Sequence, residues 1–324
     1  MPTRRIAATS NHTMSVRPYR KLAAVPCLRQ LLAAASRARR TTARFRIRLW
    51  TEVWCLGAFC KLPCRFVRLT TLTTTPMPTP GVHLQELTWI QAQAALDAHT
   101  VIVIPLGASA KEHGPHLRLD NDWTLAQYLA DRVLAASHVV IAPTVGYYYY
   151  PAFVEYPGSV TLRLETARDL IVDICLSLAA FGPRRFYVLN TGVSTVRPLA
   201  AAADARAQQG LLLRYTDLRA LAAEAVRSCS EQAGGTHADE IETSVMLYIA
   251  PERVAMDHAV CDYHPGSGAL TRDPHSQGTY SRSGVFGDAT LARWGKGRIV
   301  TEAMVAGILS DIERLRSDHP PPSP

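Results

Sequence analysis

One short stretch of the chain concentrates the side chains that bind metal ions and carry protons. Residues 112–122 contain two histidines, one glutamate and two aspartates. Proteins build Zn²⁺ and Mn²⁺ sites from imidazole and carboxylate groups. His113 and Asp122 can meet only if the loop between them doubles back, which Gly114 and Pro115 permit. The stretch is a candidate metal site, and a solvated polar loop with a helix-capping histidine is the alternative interpretation.

A second candidate stretch begins at a pair of glycines and contains a histidine followed by three acids. Thr236 and Asp239 have the spacing of a capping box, which predicts that a helix begins at His237. On that helix His237 and Glu240 share a face, whereas Glu242 points about 200° away from Glu240. The shared face could supply a proton donor and a metal ligand. A capped helix with solvated acids is the alternative.

Four consecutive tyrosines, residues 147–150, follow the second predicted strand. Four adjacent tyrosines cannot all belong to the core. We expect some of them to line a substrate pocket at the end of the strand, with Tyr149 and Tyr150 as the candidates. Packing at the edge of the sheet is the alternative interpretation of the same residues.

The elements that must position these groups alternate between strands and helices from about residue 82. Short apolar runs, typical of buried parallel strands, lie at residues 101–105, 138–143, 186–189 and 211–215. Helical patterns lie at residues 123–135, 166–180, 196–209, 217–232 and 299–315. This order predicts an α/β fold of three layers, α/β/α, with a mostly parallel central sheet. Reactive groups collect at the carboxyl ends of the strands in such sheets.

Composition and charge argue against two classes of protein. The chain has 324 residues, 48% hydrophobic and 19% charged, as in a globular protein with a core. Its best membrane candidate, residues 49–60, is shorter than the roughly 20 residues of a spanning helix and contains Glu52. The net charge of +8 divides into +14 for residues 1–80 and −6 for the rest. We therefore expect neither a membrane nor a nucleic-acid partner for the main domain.

The composition changes near residue 80. Residues 1–80 are rich in arginine, poor in acids and end in a Thr/Pro run, so we expect a disordered extension or a translation start at Met77. We expect one folded domain over residues 81–317 and a disordered tail over residues 318–324. The cysteines beyond residue 80 are few and widely spaced, which favours a reducing compartment and a cytoplasmic protein.

The candidate stretches, in this order, resemble the creatininase (creatinine amidohydrolase) family. The family sequence Glu-Gln-His-Gly-Pro-His-Leu, followed by Asp, is similar to residues 111–117 and Asp122. Its Phe-Pro-Gly-Thr element resembles residues 156–159, and its His-Ala-Gly-Glu-x-Glu-Thr-Ser element resembles residues 237–244. A Gly-Asp-Pro segment near the end is similar to residues 284–289. The resemblance covers most of the chain beyond residue 80.

The resemblance implies an α/β/α fold, a hexamer and a dinuclear Zn²⁺ or Mn²⁺ site. Metal-activated water then hydrolyses an amide or cyclic amide C–N bond. By resemblance His113 and Asp122 are metal ligands, with Asp122 bridging, and His237 donates a proton or orients the substrate. Glu240 and Glu242 match the acids that follow, and the helical spacing favours Glu240 as the one that faces His237.

The chain departs from the family at two ligand positions. The first metal ligand of the family is a Glu, and Lys111 stands there, with Glu112 displaced by one residue. The third-strand element Asn-Gly-His-Gly-Gly-Asn is replaced by residues 190–195. Gly192 stands where the family has a ligating His, and Ser194 where some members have a ligating Glu.

These departures reduce the expected number of ions. His113, Asp122 and Glu240, with Glu112, are expected to hold one Zn²⁺ or Mn²⁺ ion and to have difficulty holding two. Lys111 is expected to replace part of the missing positive charge by polarising a carbonyl.

The sequence predicts a metal-dependent hydrolase of a small amide or cyclic amide other than a peptide. Water on the metal is the nucleophile, Glu112 or Glu240 the base, and His237 the acid to the leaving nitrogen. We expect a homo-oligomer whose partner is a small-molecule substrate, bound by Tyr149, Tyr150 and Ser194. The alternative is a catalytically impaired family member that binds small molecules or acts as a scaffold.

Overall fold

Five parallel strands form the central sheet of the fold. The structure is a computed structural model that describes residues 80–319. The strands are β1 (Val82–His83), β2 (Val101–Leu106), β3 (Val140–Ile141), β4 (Arg185–Asn190) and β5 (Leu212–Tyr215). Their order across the sheet is β1-β3-β2-β4-β5, and every neighbouring pair is parallel. The predicted parallel sheet is confirmed.

Strands β2 and β4 form the middle of the sheet. All six residues of β2 are buried, as expected for an apolar run covered on both faces. The pairing runs from Val101 opposite Arg185 to Leu106 opposite Asn190. The loops that leave β2 and β4 therefore start side by side at the carboxyl edge of the sheet.

Seven α-helices lie within the described residues. They are α1 (Trp89–Ala95), α2 (Asn121–Ala136), α3 (Leu164–Ala179), α4 (Val196–Ala207), α5 (Leu218–Cys229), α6 (Glu240–Ile249) and α7 (Trp294–Ser317). Asp217 caps α5, since its carboxylate accepts hydrogen bonds from the backbone N–H groups of Arg219 and Ala220. None of the helices in residues 80–319 is long and apolar enough to cross a bilayer.

The two faces of the sheet bury two separate hydrophobic clusters, because alternate strand residues point to opposite faces. One cluster joins β2 and β4 to α3 and α4, through Ile102, Ile104, Phe186, Val188, Ile171, Cys175, Leu199 and Ala202. The other joins them to α2 and α7, through Val101, Val103, Tyr187, Leu189, Leu129, Val133, Val300, Ile308 and Ile312. The predicted three-layer α/β/α arrangement is confirmed.

Short strands between α6 and α7 cover the carboxyl edge of the sheet. Strand β6 (Cys261–Asp262) pairs antiparallel with β9 (Gly287–Asp288), and β7 (Leu270–Thr271) pairs parallel with β8 (Thr279–Tyr280). Two-residue strands have no periodic sequence pattern, so the sequence did not reveal them. The predictions for the N-terminal extension and for residues 320–324 lie outside the described residues.

Candidate functional site

The β2–α2 loop (residues 107–120) places a buried lysine and histidine on one carboxylate. Asp122, in the first turn of α2, lies 2.6 Å from Lys111 Nζ through Oδ2 and 2.9 Å from His113 Nε2 through Oδ1. All three side chains are buried. Burial alone would raise the pKa of Asp122, but the Lys111 ammonium and His113 hold it below its ordinary value. Asp122 is therefore a fixed anion.

The same loop doubles back as its glycine allows. Lys111 N donates to Leu119 O at 2.9 Å, which closes the loop, and Gly114 adopts a positive φ of 70° at its tip. His113 Nδ1 lies 2.9 Å from Lys111 O, which fixes the ring with Nε2 toward Asp122. The proximity of His113 and Asp122 thus arises from the turn that the sequence predicted.

Two aromatic rings hold the Lys111 ammonium in place. Nζ lies 4.7 Å from the centre of the Phe153 ring and 5.8 Å from that of Tyr150. Ring faces attract cations at these distances. Lys111 is therefore a positive charge built into the pocket, paired with Asp122 on one side and packed against aromatic faces on the other.

His237 joins this cluster from a position before α6. Its Nε2 lies 3.1 Å from Glu112 Oε2 and 3.0 Å from Glu112 O, and its Nδ1 lies 3.6 Å from Glu242 Oε2. An isolated β-bridge to Phe286 holds the backbone. The ring centre lies 5.0 Å from that of His113. Glu112, which was predicted to bind a metal, instead contacts His237 Nε2 and fixes the orientation of its ring.

The prediction that Glu240 faces His237 and binds a metal is wrong. The side chain of Asp239 caps α6, so the helix begins at Glu240 rather than at His237. Ala238 has a φ of 46°, which turns the chain between His237 and the helix. The helical spacing of three residues therefore does not apply. Instead Glu242, which accepts a 2.7 Å hydrogen bond from Ala238 N, lies beside His237.

Glu240 serves a structural purpose on the other side of α6. Its fully buried carboxylate accepts hydrogen bonds from Ser230 Oγ, from the backbone N–H of Glu231 and Gln232, and from Lys296 Nζ. Burial would raise the pKa of Glu240, but the hydrogen bond from Lys296 and those from the backbone lower it overall. The Glu240–Lys296 ion pair therefore joins the start of α6 to α7.

The donor set fits one divalent ion. His113, His237 and Glu242 present one ligand atom each within 4.8 Å of one another, the single group of this kind among the described residues. Two imidazoles and a carboxylate suit Zn²⁺ or Mn²⁺. A second ion lacks donors of its own, because the Lys111 ammonium holds Oδ2 of Asp122 and the β4–α4 loop supplies neither an imidazole nor a carboxylate.

The β4–α4 loop (residues 191–195) offers no further ligand. Gly192 and Ser194 lie at the pocket wall, and neither carries an imidazole or a carboxylate. The predicted ligand set of His113, Asp122 and Glu240 is therefore not the set that converges. The structure brings together His113, His237 and Glu242, with Asp122 held by Lys111.

The predicted substrate-binding residues divide between the pocket and the core. Tyr150 and Ser194 line a cavity of about 190 Å³ together with Lys111 and His237. Burial and the nearby Asp122 charge raise the pKa of Tyr150 well above its ordinary value. Tyr149 is not in the lining of this cavity; its partly buried ring packs against the hydrophobic cluster of α3 and α4, and its predicted substrate contact stays a prediction.

The sequence did not reveal two side chains of the site. Phe153 packs against both Lys111 and His237, with ring centres of Phe153 and His237 4.4 Å apart. His116 Nε2 lies 2.7 Å from Thr243 Oγ1, and burial together with His113 lowers the pKa of His116 to about 4. His116 is therefore a neutral side chain whose hydrogen bond with Thr243 connects the β2–α2 loop to α6.

Three comparisons with known proteins agree on the kind of fold. Residues 85–312 match the family model Creatininase, described as creatinine amidohydrolase. The mycofactocin precursor peptide peptidase of Mycolicibacterium smegmatis is 31% identical over 227 residues, which cover 68% of this chain and 87% of that protein. The creatinine amidohydrolase of Pseudomonas putida is 25% identical over 266 residues, 74% of this chain and 98% of that protein.

Solved creatininase structures share the architecture. One creatininase crystal structure superposes with a TM-score of 0.62 at 23% identity, covering 74% of this chain and 99% of that chain. A manganese form gives a TM-score of 0.62 at 24% identity and covers 74% and 100% of the two chains. At this identity the likeness supports the fold, and the ligand set must be judged from the residues of this chain.

Proposed function

Because the chain belongs to the creatininase family, we propose that it hydrolyses an amide C–N bond in the pocket between the β2–α2 loop and α6. The observation that supports this most directly is a buried cluster of unlike groups around one small cavity. Lys111, His237 and Glu242 line this cavity, and His113 and Asp122 lie against them outside the lining. An amide hydrolase needs such groups to stabilise an oxyanion and to move a proton.

His113, His237 and Glu242 are the residues that would hold a single Zn²⁺ or Mn²⁺ ion. Bound there, the ion would supply an activated water and polarise a carbonyl. Glu112 Oε2, 3.1 Å from His237 Nε2, orients the ring and leaves Nδ1 toward the cavity. This arrangement replaces the predicted set that contained Asp122, Glu240 and Glu112.

Lys111 supplies the second positive charge of the pocket. One side of the ammonium faces Asp122 at 2.6 Å, and an ammonium has three N–H donors in all. Lys111 also lines the cavity, so a donor is available to a substrate carbonyl oxygen. A cation held rigidly by Asp122 and two aromatic rings stabilises the oxyanion without reorganisation.

Proton movement is assigned to His237 and Glu242. With Nε2–H directed to Glu112, Nδ1 is the basic atom of the neutral ring and can take a proton from water. The His237 ring lies between the carboxylates of Glu112 and Glu242, which stabilise the protonated ring until the proton passes to the leaving nitrogen. With an ion bound, one carboxylate oxygen of Glu242 would be a ligand and the other would be free to carry the proton. Burial raises the pKa of Glu242, an effect that His237 and Lys111 partly oppose.

The substrate class extends beyond the non-peptide amides that the sequence suggested. A relative 31% identical is a peptidase, and another, the Thermotoga maritima protein, is a 3-dehydro-scyllo-inosose hydrolase. We include peptide amides among the candidates. The alternative of an impaired binding protein is not favoured, because the acid–base groups remain assembled around the cavity. The hexamer and the cytoplasmic location stay predictions.

The test is a hydrolysis assay of the purified full chain, with and without added Zn²⁺ or Mn²⁺. Creatinine, N-acetyl amino-acid amides and short peptides are incubated with the protein, and the released amine is measured by chromatography. We expect turnover of at least one class and a loss of about 100-fold or more in His237→Ala. His258→Ala, at an exposed histidine outside the pocket, is the matched control. Failure of every substrate, or full activity of His237→Ala, would overturn the proposal.

A further inference from the structure

A second and larger cavity lies beside the catalytic pocket. Its volume is about 700 Å³, within the range of pockets that enclose a drug-sized ligand, whereas the catalytic pocket measures about 190 Å³. Helices α2, α5, α6 and α7 supply its apolar lining, which includes Leu125, Ala222, Val226, Ile241, Val245, Met246 and Met304. A polar cyclic amide of the size of creatinine would leave this space unused.

The two cavities are neighbours with a common wall. The shared residues are Thr191, Gly192, Val193, Arg219, Thr236 and Glu242. Glu242 is a proposed ion ligand, so the common wall lies at the reacting centre. A molecule that places its amide beside Glu242 can therefore extend into the second cavity.

The common wall includes Gly192, at the position where the resemblance places a histidine in the family. Gly192 adds no side chain to the lining of either cavity. An added Cβ would lie only 2.8 Å from Thr195 Cγ2, so Thr195 occupies the space that a larger residue needs. The position where the resemblance implies a metal ligand is thus part of the lining that the two cavities share.

The apolar side chains of the lining favour an apolar ligand group in the second cavity. Protein interiors are closely packed, and voids larger than a water molecule are few, so an apolar space of this size is suited to a ligand group rather than to packing. Met246 and Met304 contribute thioether groups, which make favourable contacts with aromatic rings. The lining also contains six charged residues, of both signs: Asp122, Asp217, Arg219, Arg227, Asp239 and Glu242.

We infer that the substrate is an amide bearing a bulky apolar group, an aromatic or branched aliphatic side chain, that binds in this second cavity. The inference rests on the proposed function, since it takes the amide to react at the neighbouring pocket. It narrows the substrate class from small polar cyclic amides to hydrophobic amides, whether amino-acid derivatives or peptides with a hydrophobic residue next to the cleaved bond.

The test measures binding, so that it does not depend on turnover. Full-length protein is titrated calorimetrically with 2-(1-naphthyl)acetamide and with acetamide, and the dissociation constants are compared. We expect the naphthyl compound to bind at least 30-fold more tightly. Ala223→Trp, at the cavity lining, should weaken naphthyl binding 10-fold or more. Ala220→Trp, on the same helix but outside the lining, is the matched control and should leave binding unchanged.

A second variant guards against misfolding. Val226→Phe also fills the cavity, and circular dichroism of each variant reports whether the fold is retained. Equal binding of the two amides, or naphthyl binding that survives both substitutions in folded protein, would overturn the inference. Tight naphthyl binding with no hydrolysis of any amide supports the cavity and overturns the proposed function. Hydrolysis with no preference for apolar amides supports the proposed function and overturns the inference about the second cavity.

Discussion

The loops that leave β2 and β4 start side by side but differ in what they carry. The β2–α2 loop carries two buried polar side chains, Lys111 and His113, and both contact the Asp122 carboxylate. The β4–α4 loop holds only small neutral residues. Its hydroxyls serve the backbone: Thr191 Oγ1 donates to Leu106 O at 3.1 Å. One loop supplies the chemistry, and the other fixes the strand ends and leaves space.

The contrast shows how the pocket balances the charge of Asp122 without any ionisable side chain from the β4–α4 loop. Asp122, for which the resemblance implies a bridging position, would be a buried anion without its partners. Lys111 supplies a fixed cation on the neighbouring loop, 2.6 Å away. Gly192 and Ser194 carry no imidazole or carboxylate, which agrees with a pocket in which Lys111 supplies one positive charge and a single metal ion would supply the other.

Replacing the fixed cation should have the largest effect. Lys111→Met leaves Asp122 buried with only His113 as partner, so we expect a loss of about 3–5 kcal/mol in the free energy of unfolding and loss of turnover. Urea denaturation measures the first and the hydrolysis assay the second. The double variant Lys111→Met/Asp122→Asn should regain most of the stability and none of the activity. A loss below about 1 kcal/mol in the single variant would show that the ion pair is not a structural requirement.

The two glutamates of α6 should separate stability from catalysis. Glu240→Gln breaks a buried pair with Lys296, so we expect a cost of about 3 kcal/mol in unfolding free energy and unchanged turnover per folded molecule. Glu242→Gln, at a side chain that is 34% exposed, should cost less than about 1 kcal/mol and lower turnover about 100-fold. Equal effects of the two substitutions on turnover would refute the separation.

The Glu240–Lys296 pair also predicts a dependence on pH. The pKa of Glu240 is lowered from its ordinary value of 4.5, so its contribution to stability is present above pH 4.5 and is lost as the pH falls through the lowered folded value. The difference in melting temperature between wild type and Glu240→Gln should be constant from pH 7 to pH 5 and shrink below pH 4.5. A difference that grows on acidification would contradict this sign.

The smallest effect is expected from restoring a side chain on the β4–α4 loop. Gly192→His requires Thr195 to shift, which we expect to cost about 1 kcal/mol in unfolding free energy. Because Lys111 still holds Asp122, the new histidine should not add a second ion to the metal content measured after dialysis. A second ion in this variant would mean that Lys111 does not block that position.

The sequence was informative where the signal was local. Continuous apolar runs predicted β2 and β4, and Gly114 and Pro115 permitted the turn that brings His113 to Asp122. The capping-box spacing predicts a helix start at His237, but Asp239 is itself a strong N-cap residue and the helix begins at Glu240. The spacing therefore favours Glu240, whereas Glu242 lies beside His237. Lys296 lies 56 residues from Glu240, so no local sequence pattern could predict that the two form an ion pair. Tyr149 and Tyr150 are adjacent, so only the fold could separate them.

The central claim is that His113, His237 and Glu242 hold a single ion while Lys111 takes the place of a second. Metal-free protein is reconstituted with Zn²⁺, dialysed, and analysed for bound metal per chain. We predict one ion per chain in the wild type and in Glu240→Gln, and none in His113→Ala. Two ions per chain in the wild type, or one that remains in His113→Ala, would contradict the account.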